Sequence, residues 1–133
     1  MVPFRLTFQP GIPLFEQVVY AAKKAVVSGQ MRPGEVFPSV RALSREFKIN
    51  PNTAHKVIAA LIAEGLLEVN VGVGTVVAAR GQGSAIERSR LLKGELERLV
   101  VEAKKLKLGL DDVLASVRKH WSRLGGDELG GKE

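Results

Sequence analysis

The feature that most limits what this chain can fold into is the closeness of two helix starts. Ser39 can cap a helix in which Val40, Leu43 and Phe47 share a face. Asn50 can cap the next, with Pro51 in its first position. Ala54, Val57, Ile58, Leu61 and Ile62 give this second helix an apolar side until Gly65 stops it. Only a few residues separate the two patterns, which is the spacing of a helix-turn-helix.

The flanking sequence completes a small domain around that pair. Upstream, Phe4, Leu6 and Phe8 alternate with polar residues as a short strand would, and Pro10-Gly11 breaks the run. Pro13 then suits the first position of a helix whose Leu14, Val18, Ala21 and Ala25 recur at helical spacing, with Ser28-Gly29 as its stop. A Pro33-Gly34 turn leads into the Ser39 helix. Downstream, Leu67, Val69 and Val71 alternate with Glu68 and Asn70, Gly72-Val73-Gly74 makes a tight turn, and Thr75 to Ala78 return. Three helices followed by a hairpin predict a winged helix-turn-helix over residues 1–80. The expected fold class is therefore mainly α with a small β-hairpin.

Arg80-Gly81-Gln82-Gly83-Ser84 is polar and glycine-rich, so residues 81–85 are expected to be a linker. Beyond it Leu92, Leu96, Leu99, Ala103 and Leu106 form an apolar stripe among Glu, Lys and Arg. After Gly109, Asp111 can cap a further helix with Leu110, Leu114, Val117, Trp121 and Leu124 on one side. The two stripes can face each other in a hairpin over residues 86–124. So small a pair buries too little surface to stand alone, which predicts pairing with the same unit of a second chain. The dimerisation residues expected on this basis are Leu92, Leu96, Leu99, Leu106, Leu114, Val117 and Trp121. Residues 125–133, with four glycines, read as a flexible tail.

Charge narrows the choice of partner. The chain carries a formal +6, and residues 1–80 hold nine basic against five acidic side chains, so a polyanion is favoured and the first part is its expected binder. There is no apolar run long enough to cross a bilayer and no basic-then-apolar leader pattern, so no membrane insertion is expected, and a cytoplasmic protein is. The absence of cysteine removes disulfides, thiolate nucleophiles and zinc-finger ligands. Gly72-Val73-Gly74 lacks the third glycine and the following helix of a nucleotide-binding loop. His120 has no ligand partner near it in sequence, and Trp121 fits the apolar stripe. No cofactor, metal or enzymatic activity is expected.

Pro13-Leu14-Phe15-Glu16-Gln17-Val18, Gly29-Gln30-Met31-Arg32-Pro33-Gly34-Glu35, Pro38-Ser39-Val40-Arg41-Ala42-Leu43-Ser44, Asn50-Pro51-Asn52-Thr53, Glu64-Gly65-Leu66 and Gly72-Val73-Gly74-Thr75 stand in an order that resembles the GntR family of bacterial repressors. The resemblance runs over residues 12–78. The Asn-Pro-Asn-Thr element and the short helical tail look like the YtrA subfamily. It implies a homodimer formed through a two-helix appendage and repression of operons for ABC-type membrane transporters. The chain departs from the family pattern where Pro51 and His55 replace arginines, and where Val71 and Val73 occupy a wing that elsewhere carries a basic residue.

The resemblance and the chemistry of the side chains together nominate a DNA-binding set. Arg41, on the first exposed turn of its helix, has the forked guanidinium that suits guanine or phosphate. Asn52 and Thr53 open the third helix, where a recognition helix meets base edges, and an asparagine can bond an adenine edge twice. His55 and Lys56 follow on the same surface. Arg45, Lys48 and Ser39 are expected phosphate anchors, and Asn50 and the wing's Gly72 complete the set. Each has a bland alternative as a cap or a solvated side chain. The partner expected is double-stranded DNA bearing an inverted-repeat operator. A small-molecule effector would have to lie between helices or at the dimer interface. The competing function is an architectural or protein-interaction module that binds duplexes with little sequence preference.

Overall fold

A computed structural model describes residues 2–125. Its elements are α1 (Leu14–Val27), α2 (Val40–Phe47), α3 (Pro51–Ala63), β1 (Leu67–Asn70), β2 (Gly74–Val77), α4 (Ala85–Ser89), a π-helical stretch Arg90–Glu95, α5 (Leu96–Lys105) and α6 (Leu110–Leu124). The tail expected at 125–133 lies, beyond Gly125, outside the described residues.

The first three helices wrap one core. α1 contributes Val18, Ala21, Ala22, Ala25 and Val26, α2 contributes Leu43, and α3 contributes Ala54, Val57 and Leu61. Many of these are alanines, and small side chains let helix backbones approach closely where α1 and α2 pack on α3. Leu66, Leu67 and Val77 of the hairpin close the same core.

The hairpin is antiparallel, with Leu67 opposite Val77 and Asn70 opposite Gly74. Its turn closes where Val73 N–H donates to Asn70 O at 3.0 Å, and Gly72 there has φ +86°, a conformation that costs any other L-residue about 1–2 kcal/mol. A third extended segment lies along β2. Gly34 N–H donates to Val77 O at 2.8 Å, Val77 N–H to Glu35 O at 2.9 Å and Phe37 N–H to Thr75 O at 2.8 Å. The connection into α2 is thus tied to the wing.

Three expectations need correction in this domain. Phe4, Leu6 and Phe8 do not form a strand. Phe4 is buried between Phe37 and Phe47, with ring centroids 5.9 and 5.6 Å away, while Phe8 stays exposed. The segment's backbone is held by a side chain in place of a neighbouring strand: buried Gln17 accepts from Gln9 N–H at 2.8 Å and donates to Gln9 O and Ile12 O. Pro13 is the residue before the first turn of α1, with an extended ψ of 137°, and not its first helical residue. The first strand ends at Asn70, so Val71 belongs to the turn.

The helical part begins slightly earlier than residue 86. Ser84 Oγ accepts from Glu87 N–H at 3.0 Å and Glu87 Oε1 from Ser84 N–H at 2.8 Å, a reciprocal cap that starts α4 at Ala85 inside the expected linker. From there the backbone stays helical to Lys105, passing through the wider π-helical stretch that contains Gly94. Asp111 does not cap α6. Gly109 holds the cap position and Asp112 Oδ2 accepts its N–H at 3.0 Å, because the reach of a carboxylate three residues ahead fits this geometry. The two stripes also leave each other uncovered: of the α5 and α6 apolar side chains only Ala103 is buried. No helix among the described residues is long and apolar enough to cross a membrane.

Candidate nucleic-acid interface

The α2–turn–α3 unit is built by two caps and one strained residue. Ser39 Oγ accepts Ala42 N–H at 3.1 Å and begins α2. Lys48 ends it in the left-handed conformation, φ 54° and ψ 47°, so the chain reverses within Lys48, buried Ile49 and Asn50. Asn50 Oδ1 then accepts Asn52 N–H at 2.8 Å and begins α3, with Pro51 needing no donor at its first position.

This division of labour decides which side chains remain available. The oxygens of Ser39 and Asn50 are engaged in caps, while the Asn52 side chain takes part in neither. Arg41, Arg45, Lys48, Asn52, His55 and Lys56 are exposed and Thr53 is half-buried. At about 100° per residue, Asn52, Lys56 and Ala59 lie within one narrow sector of α3, opposite the buried Ala54, Val57 and Leu61. His55 flanks that sector. The outer surface of α3 therefore pairs polar and basic groups in its first two turns with a small methyl beyond them, which lets a helix lie close to whatever it meets. Among the described residues no ion pair involves Arg41, Arg45, Lys48 or Lys56, so nothing of opposite charge in those contacts neutralises them.

The wing differs in character. Gly72 sits at its turn as expected, but between Leu67 and Val77 the single charge is Glu68, and Val71 at the tip is 94% exposed. Two positioning features had no sequence signal. The Gly34–Phe37 segment pairs with a strand forty residues on, and Arg80 Nη1 donates at 3.1 Å to Val26 O near the end of α1. Both are contacts between distant parts of the chain, whereas capping residues act within three or four positions.

A three-helix core with a recognition-type α2–α3 pair and a hairpin wing defines a winged helix-turn-helix regulator. The sequence model of "Bacterial regulatory proteins, gntR family" matches residues 14–77. The HTH-type transcriptional repressor YtrA of Bacillus subtilis is 33% identical over 92 residues, covering 68% of this chain and 71% of that protein. The chain belongs to the GntR family and stands with its YtrA-like members. A Listeria monocytogenes structure described as a transcriptional antiterminator shares the fold, with TM-score 0.79 and 22% identity over 92% of both chains. The DNA-binding domain of AraR, solved in complex with operator ORX1, has TM-score 0.51 and 26% identity over 59% of this chain and all of its own.

Proposed function

We propose that this protein is a homodimeric transcription repressor that reads an inverted-repeat operator with α3 in the major groove and the wing alongside. The observation that carries the reading is the Asn50 cap: it satisfies the start of α3 and leaves the Asn52 amide to address a base edge. Arg41, Arg45, Lys48 and Lys56 surround it as phosphate anchors, with Ser39 and Asn50 presenting the helix starts, Thr53 and His55 flanking the readout, and Gly72 bringing the wing's backbone near the duplex. Names of relatives support repression, and one of them, MngR of Escherichia coli, is the repressor of a mannosyl-D-glycerate transport/metabolism system, which supports control of a transport operon.

Dimerisation is supported by what the appendage leaves in water. Leu92 is 63% and Leu106 65% exposed, and Leu96, Leu99, Leu114, Val117 and Trp121 are exposed with them, an area that a second copy would cover. Two-fold symmetry would then match two half-sites, and the second half-site would bind at high effective concentration.

The test is binding to duplexes from the region upstream of the protein's own operon at several salt concentrations. Each neutralised phosphate contributes a log–log slope of about −0.9. A salt-independent affinity, or a preference for the best site over random duplex of less than about a thousandfold, would replace the repressor with a low-specificity module. Stopping the chain after Gly83 tests the appendage: a folded monomer with about a hundredfold weaker operator binding is expected.

A further inference from the structure

The appendage meets the winged domain at a cleft between the end of α1 and α6, lined by none of the α2 or α3 side chains. Val27, the last residue of α1, lines it together with Val117, His120, Trp121 and Leu124 of α6, and its volume is about 340 Å3. That is near the small end of ligand pockets, which run from about 300 to 1,000 Å3. The cleft opens to solvent, and its apolar side chains give water there few partners, so an apolar body gains by displacing it. Trp121 is 63% exposed and offers a flat ring for offset stacking.

Polar chemistry beside the cleft has one sign. Arg123 Nη2 lies 2.7 Å from His120 Nδ1. A guanidinium can only donate, so Nδ1 is the acceptor and the neutral imidazole keeps its proton on Nε2 as a further donor. Among the described residues no carboxylate lines the cleft and no ion pair involves Arg123. An apolar slot edged by donors and a cation suits a planar molecule that ends in an anionic acceptor.

We propose that this cleft binds a small aromatic carboxylate of about benzoate size, its ring against Trp121 and its carboxylate toward Arg123 and His120. The occupant sits between α1 of the winged domain and α6 of the appendage. On the repressor reading above, its binding changes how the recognition helices are held relative to the dimer. Val117 and Trp121 are also among the side chains a second copy would cover, so the occupant and that copy compete for them.

Trp121 is the chain's single tryptophan, so its emission reports the cleft without a label. The full chain is titrated with sodium benzoate, benzyl alcohol and sodium acetate. A saturable change with benzoate is expected, about tenfold weaker with benzyl alcohol and absent with acetate. Arg123→Gln should erase the difference between benzoate and benzyl alcohol while leaving the far-UV spectrum unchanged, and Val27→Trp, which fills the cleft and is followed by calorimetric titration of benzoate because it adds a second tryptophan, should abolish binding. A non-saturating response, equal responses to all three probes, or full discrimination in Arg123→Gln overturns the proposal, as does an unresponsive Trp121, the result expected if a second copy fills the cleft. Operator binding is measured on the same samples with and without benzoate. Loss of operator binding in the benzoate-free protein counts against the repressor reading alone, and a silent Trp121 counts against the cleft alone.

Discussion

The winged domain and the appendage follow the same spacing rule and end differently. In α1, α2 and α3 the apolar positions close on one another until Val18, Leu43 and Leu61 have no exposed surface. In the appendage the stripe from Leu92 to Leu106 and the one from Leu114 to Trp121 remain exposed, with Ala103 alone buried. Helical periodicity states which face requires cover and not what covers it. The winged domain finds its cover within the chain because short turns and the Gly34–Phe37 strand bring three helices and a hairpin together. The appendage has one helix connection, and it leaves both stripes exposed.

The comparison breaks most sharply at matched leucines. Leu61→Ala opens a cavity in a closed core and is expected to lower unfolding stability by about 2–5 kcal/mol, whereas Leu99→Ala removes a half-exposed side chain and should change the stability of an isolated chain by less than about 1 kcal/mol. Denaturant melts at low protein concentration compare them. Equal losses would mean that the appendage has a core of its own in the monomer. Leu99→Asp sharpens the same contrast at high concentration: sedimentation should show monomer, with the winged domain's melt unchanged.

A smaller effect is expected on the readout face. Asn52→Ala should weaken the preferred operator by about 1–3 kcal/mol and flatten preference at one base pair per half-site, while Lys56→Ala weakens all sequences alike. Unchanged base preference in a competition assay with single-base operator variants would remove Asn52 from the readout.

Lys48 separates stability from binding at one residue. Glycine there relieves the left-handed backbone but enlarges the unfolded ensemble, so Lys48→Gly should gain about 0.5 kcal/mol in denaturant unfolding. It should also weaken DNA binding and reduce the salt slope by about 0.9 per subunit. A stability loss would show that the Lys48 stem packs on the domain.

The mildest effect is at the start of α4. The Ser84 backbone N–H, the Ser84 hydroxyl and nearby Arg90 hold the Glu87 carboxyl below its ordinary value of 4.5. A depressed carboxylate adds stability above its unfolded pKa and loses it as pH falls through the folded one. Amide exchange at Ser84 and Glu87 should therefore be unchanged from neutral pH down to that ordinary value and speed up, beyond the intrinsic pH trend, only below it. Glu87→Gln should remove the transition.

Local signals were the legible ones. Ser39, Asn50-Pro51, Gly65 and Gly72 act within a few residues, so their chemistry could be read in order along the chain and the structure has them as caps, stop and turn. The same holds for the candidate site, because exposure of Arg41, Asn52 and Lys56 follows from the helical phase that buries Leu43, Ala54 and Val57. Failures came where two conformations share one pattern. Phe4, Leu6 and Phe8 alternate in any extended segment, paired or not. A six-residue π-helical stretch differs from an α-helix by one hydrogen-bond step, which Leu92-to-Leu106 spacing cannot register.

By itself, then, the sequence determined helix phase, helix ends, the turn of the wing and the basic side chains that face outward, because each depends on backbone sterics or on neighbours within about one turn. Tertiary structure alone decided that Gln17 takes the place of a strand, that Gly34–Phe37 joins the wing, that Arg80 caps the end of α1, and that Val27 meets Trp121 across a cleft. The Gln17 contacts reach only to Gln9 and Ile12, but the others join residues far apart in the chain. Their free energy depends on which surfaces the packed core brings within reach, a property of the whole arrangement and not of any stretch of it.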